Sequence, residues 1–151
     1  MDVLPTWNRL LLVKELAFEA RSNALRETGW NGSGNGAVEV EAEGARTIIF
    51  REHGTWHQQG RQQTVFSNAF RWTADFDGGS IRLEHLRFGP SRPVYLFDLV
   101  PLADGSLESP EPHVCEKDCY AARMEHDEQM LRLTWTINGP EKAETISYIY
   151  R

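Results

Sequence analysis

What most limits the architectures open to this chain is an alternation of apolar and polar residues that returns segment after segment with no helix between. Thr47 to His57, Thr64 to Phe76, Ser80 to Phe88, Val94 to Val100, Tyr120 to His126, Met130 to Asn138 and Ala143 to Tyr150 all carry this period of two, the period of a β-strand. Gly, Pro, Asp and Asn separate them, most clearly at Asp77-Gly78-Gly79 and Asn138-Gly139-Pro140. Consecutive short strands without crossover helices must pair antiparallel, and closing the sheet on itself removes its exposed edges. The expected fold is therefore all-β: a single antiparallel up-and-down β-barrel. At 151 residues the whole chain suits one domain, long enough to bury a core without metal or disulfide staples. Pro101 to Pro112, rich in Pro, Asp, Glu and Ser, is expected to be a surface loop.

The pattern is ambiguous at the N-terminus. From Trp7 to Arg26, the residues Leu10, Leu11, Val13, Leu16, Ala17, Ala20 and Ala24 have helical spacing, yet Arg9 to Phe18 also suits a strand. Both readings stay open. Gly29 to Gly36 reads as a loop or wide turn ahead of the alternating segment Ala37 to Glu41. Its Gly-Ser-Gly-Asn-Gly-Ala core formally fits a dinucleotide fingerprint. That motif needs a helix next, and a strand follows.

Charge and composition narrow the function. A net charge of -6 opposes binding to a phosphate backbone, which requires a basic face. No apolar run reaches the length of a membrane helix, so neither nucleic acid nor a membrane is an expected partner and the cytoplasm is the expected location. Two cysteines, Cys115 and Cys119, are too few for a secreted disulfide framework, and reduced thiols are expected.

Parity assigns faces to the strands. Phe66, Asn68, Phe70 and Trp72 share one face; Ile81, Leu83, His85 and Arg87 another; Val94, Leu96, Asp98 and Val100 a third. Each row contains a polar residue that must meet a partner, water or a ligand if it points inward. An internal Arg87–Asp98 pair is one expectation and a ligand cavity the other. Glu41, Glu43, Glu52, Glu84 and Glu125 read mostly as solvated outer faces. His53 and His57, four apart on a strand, are too distant to share a metal and read as solvated. His113, Cys115 and Cys119 lack a CxxC pair or a well-spaced second histidine, so no metal and no cofactor is expected.

The order of Trp7, Arg-Glu-His-Gly-Thr-Trp at 51–56, Phe-Arg-Trp at 70–72, the HxCxxDxY of His113, Cys115, Asp118 and Tyr120, the WxIxGPxK of Trp135 to Lys142 and the closing YxYR resembles a mostly bacterial family of unknown function. That family looks like a calycin, a lipocalin-like barrel. The resemblance covers nearly the whole chain. It implies that Trp7 to Phe18 is the opening strand, with room for a short N-terminal helix before it, and that His113, Cys115, Asp118, Tyr120, Trp135 and Lys142 form a shared site or a shared structural corner. The glycine-rich stretch and Cys119 depart from the family pattern.

The leading expectation is a barrel that binds a small amphipathic molecule whose carboxylate or other acceptor meets Arg87. Phe66, Phe70, Trp72, Leu83, Leu96 and Trp135 would form the walls, with His85 and His113 as hydrogen-bonding groups and Asp98 orienting one of them. The full candidate set is Asn68, His85, Arg87, Asp98, His113, Cys115, Asp118, Tyr120 and Trp135. Two other readings are a hydrolase or isomerase, with His113 or His85 as base, Tyr120 as acid and Arg87 stabilising an anion, and a filled barrel whose outer aromatics form a homodimer.

Overall fold

The computed structural model describes residues 2–22, 31–110, 113–115, 118–140 and 143–151, and of 113–115 the backbone alone. One helix, α1 (Leu4–Leu10), precedes eleven strands: β1 (Glu15–Ser22), β2 (Gly32–Ala42), β3 (Thr47–Gln58), β4 (Gln63–Asp75), β5 (Ser80–His85), β6 (Val94–Pro101), β7 (Leu107–Glu108), β8 (His113–Cys115), β9 (Asp118–His126), β10 (Leu131–Asn138) and β11 (Ala143–Tyr150). From β1 to β7 each strand pairs antiparallel with the next, β9 continues to β10 and β11, and β11 returns to β1. Strands β7 and β8 lie on the same edge of β9, with Leu107 opposite Met124 and His113 opposite Tyr120. They occupy one position in the ring, so the sheet closes as an antiparallel up-and-down barrel of ten strands. The expected loop from Pro101 to Pro112 thus contains a short barrel strand, and residues 111 and 112 lie outside the described residues.

Neither reading of the N-terminal segment holds over its full length: the helix ends at Leu10, the only one of the seven helically spaced residues it contains, and the strand runs Glu15–Ser22 rather than from Arg9. Val3, Thr6, Trp7 and Leu10 form the buried face of α1 at helical spacing, and Pro5 sits in its first turn. The segment then switches to period two, with Leu16, Phe18 and Ala20 facing inward opposite Tyr150, Tyr148 and Ile146. Trp7 therefore belongs to the helix, and the opening strand starts at Glu15. Residues 23–26 lie outside the described residues. The helix closes one end of the barrel. Trp7 meets Phe76 edge-on with ring centroids 5.9 Å apart, and Thr6 Oγ1 lies 2.9 Å from His126 Nε2.

Two local readings need correction. The glycine-rich stretch is not a loop from Gly32 onward, because β2 begins there and pairs with both β1 and β3. Its three glycines alternate on the inward face, and lacking side chains they let neighbouring groups approach. A Cβ on Gly34 would lie 2.5 Å from the Phe18 ring, and one on Gly36 would lie 2.2 Å from the carbonyl oxygen of His53. The parity of β6 also shifts. Leu83 faces Phe97 but Glu84 faces Tyr95, so Leu96 is the extra residue of a β-bulge. Beyond it Phe97 and Leu99 point inward, and Asp98 points outward to Arg82, with Oδ1 accepting from Nε at 2.9 Å.

Packing fills the helix end of the barrel. Trp72, Phe50, Phe97, Leu99, Met124, Leu131 and Leu133 are essentially inaccessible to water there. The backbone N–H groups of Lys14 and Glu15 donate to the carbonyl of Arg151, which joins the start of β1 to the end of β11.

Candidate binding cavity

Toward the end of the barrel away from α1, the filling is incomplete. A cavity of about 240 Å³ is lined by Phe18, Ala20, Trp56, Phe66, Asn68, Ile146 and Tyr148. The backbone creates it locally. The glycines of β2 contribute no side chain, Ala20 contributes one methyl, and the aromatics of β1, β3, β4 and β11 stand around the space. The Phe18 ring is at their centre, with centroids 5.4 Å from Phe66, 5.6 Å from Tyr148 and 6.4 Å from Trp56. Asn68 supplies an amide to an otherwise mostly aromatic wall.

A buried carboxyl lies behind that amide. Glu52 faces Asn68 across β3 and β4, and only 1% of its surface is accessible. Its Oε2 accepts from the Tyr150 hydroxyl at 2.6 Å, while Oε1 has no hydrogen-bond partner of ordinary geometry among the described residues. Burial pushes this carboxyl from an ordinary 4.5 up to about 7, while the Tyr150 hydroxyl and, more weakly, the Asn68 amide pull it down. Burial and then the Glu52 charge hold the Tyr148 and Tyr150 phenols well above their ordinary range, so both stay protonated. The two tyrosine rings are parallel, with centroids 5.5 Å apart. Glu52, assigned to a solvated face by the sequence reading, is instead an interior residue.

The other candidates take varied positions. His85 faces inward, stacks on Phe70 at 4.7 Å, and is lowered in pKa by burial and then by the Arg87 charge. Arg87 lies past the end of β5, exposed, with its guanidinium 4.9 Å from the centre of the Phe88 ring. The expected Arg87–Asp98 pair does not form, because the β6 bulge turns Asp98 outward to Arg82 and Arg87 is no longer in a strand. Trp135 is in the inner row, stacked over Tyr148 and edge-on to Phe97, and its Nε1 is buried without a partner among the described residues. It sits one ring behind the cavity. Leu96, Leu83, Phe70 and Trp72, expected as walls, do not line it.

The HxCxxDxY motif is a hairpin. His113 pairs with Tyr120 and Cys115 with Asp118, leaving two residues between β8 and β9. Tyr120 packs against the core, and Cys119 is a free thiol. The side chains of His113 and Cys115, and Lys142 entirely, lie outside the described residues. Among the described residues no three His, Cys, Asp or Glu side chains are grouped to hold a metal, and no helix is long and apolar enough to cross a membrane.

Asn68, His85 and Arg87 do meet along an open groove of about 750 Å³ beside β4, together with Arg51, His53 and Glu39. Its rim carries the exposed side chains of Glu39, Arg51 and Arg87, and the buried Glu52 lines it as well. Binding draws chiefly on apolar surface removed from water, which favours the aromatic cavity as the site. Residues 18–151 match the model of a family of unknown function, DUF6314. No curated protein matches the chain.

Proposed function

The chain belongs to DUF6314, a family of unknown function, and we propose that its barrel binds one small, largely aromatic or apolar molecule in the cavity bounded by Phe18, Trp56, Phe66 and Tyr148. The observation that carries this reading is that the core is closely packed at one end and open at the other. A small barrel can be filled throughout by its own side chains or can leave room for one ligand. Here three aromatic rings, a tyrosine and an amide border the room that remains, the mixture of apolar wall and few polar groups usual in small-molecule sites. This is a lipocalin-like mode of binding. The ligand acceptor expected at Arg87 has no counterpart in the cavity, so the polar end of the ligand is assigned to Asn68 instead.

A cavity-filling variant tests the proposal. Thermal shifts are measured with a panel of one- and two-ring aromatic compounds on the wild-type chain and on Ala20→Leu. The reading predicts a dose-dependent stabilisation of the wild type, about 3 kcal/mol when a compound is present at a hundredfold excess over its Kd, and its loss in Ala20→Leu. No shift with any compound on the wild type, or equal shifts on both proteins, would sink it.

A further inference from the structure

We propose that the ligand carries an N–H or O–H donor received by the side-chain oxygen of Asn68, and that Glu52 fixes the amide in that orientation. The inference rests on the cavity reading above and adds the polarity of the ligand to it.

Hydrogen-bond accounting leads to this polarity. A protonated phenol facing an ionised carboxylate donates, so the Tyr150 hydroxyl at 2.6 Å commits Oε2 of Glu52. That contact pins the carboxyl and leaves Oε1 enclosed, with no donor of ordinary geometry among the described residues. A buried acceptor of this kind calls for a donor. The Asn68 side chain is the neighbour placed to answer, since it faces Glu52 in register and already acts on its carboxyl. Of the two ends of a primary amide, only the NH2 group can serve a carboxylate oxygen. The amide oxygen of Asn68 is then the end left for the cavity that the same residue lines. Two other wall side chains carry polar atoms, and neither offers a fixed acceptor: the Tyr148 hydroxyl rotates to either role, and the Trp56 indole N–H can only donate. The Asn68 amide oxygen is a fixed acceptor.

The aromatic wall and the polarity together describe a flat, one- or two-ring molecule with a single N–H or O–H. Indole is a suitable probe, and benzofuran is nearly the same shape without the donor. Titration calorimetry compares the two at about pH 8.5, above the raised value of about 7, where Glu52 is ionised in the folded chain. The wild type is expected to bind indole roughly tenfold more tightly than benzofuran, as one hydrogen bond to a buried acceptor allows. In Glu52→Gln the Tyr150 hydroxyl still donates to the side-chain oxygen, so the new NH2 group takes the place of Oε1. That group occupies the Asn68 oxygen and turns the Asn68 NH2 toward the cavity. The preference for indole should then fall below about twofold.

Equal affinities on the wild type, or a preference that survives intact in Glu52→Gln, would overturn the inference and leave the cavity reading standing. Failure of both probes to bind the wild type would overturn the two together.

Discussion

Glu52 follows Phe50 and precedes Gly54 and Trp56 on the inward face of β3, and its carboxyl is enclosed by Tyr150, Tyr148 and Asn68. Its folded-state value of about 7 lies above the ordinary 4.5, so between those two values the folded chain holds a proton that the unfolded chain releases. Stability should therefore fall as pH rises through that window, by about 3 kcal/mol in all. Urea unfolding of the wild type at a series of pH values checks the slope, and Glu52→Gln should flatten it and be the more stable protein above neutrality. A wild-type slope of the opposite sign would contradict the buried position of Glu52. Asp98 offers a contrast, because its pair with Arg82 is on the outer face and partly exposed. Asp98→Asn should change stability by less than about 1 kcal/mol and leave binding of aromatic probes unchanged. At this scale the sequence was partly legible. Strict parity along Ile48, Phe50, Glu52, Gly54 and Trp56 carried the signal for Glu52, and the usual exposure of glutamate obscured it. The outward turn of Asp98 was not legible, since a bulge depends on the register between two strands and leaves no mark in the alternation of one.

Among the elements, α1 and β2 show how a mixed pattern resolves. The helical spacing around Leu10 and the alternation from Leu16 overlap in sequence, and the break at Leu11 to Lys14 separates them in the fold. Thr6 joins the helix to the barrel through His126, with 1% of the threonine surface accessible. Thr6→Val should loosen that docking at a cost of about 1 kcal/mol. Hydrogen exchange would register it as faster exchange at the amides of 7 and 11, which donate to the carbonyls of Val3 and Trp7, with the β10–β11 amides little changed. Glycine-rich β2 read as a loop because glycine is common in turns, yet Gly32, Gly34 and Gly36 already carried the period of two. Gly36→Ala would place a methyl carbon on the backbone of β3, with no flexible side chain to give way, and should cost about 1–3 kcal/mol in chemical denaturation. A neutral outcome there would mean that β2 and β3 can separate without loss.

For the molecule as a whole, closure of the barrel was the most legible property, since a succession of alternating segments without crossover helices leaves few other ways to cover strand edges. The cavity was less so. Its volume depends on where three glycines, one alanine and four aromatic rings fall around a closed sheet, which parity along single strands does not give. Of the residues proposed from sequence, Asn68 lines it, Trp135 stands one ring behind it, and Arg87 and Asp98 face solvent. The barrel thus divides into a packed half that supplies stability and an aromatic half that offers room for a ligand. A crystal structure of the wild-type chain soaked with 4-bromoindole, phased to show the anomalous signal of bromine, tests that division most directly. The account predicts a bromine peak inside the barrel among Phe18, Trp56, Phe66 and Tyr148, within the same cavity that Asn68 lines. A barrel interior closed by those side chains, or bromine found only on the outer surface, would contradict it.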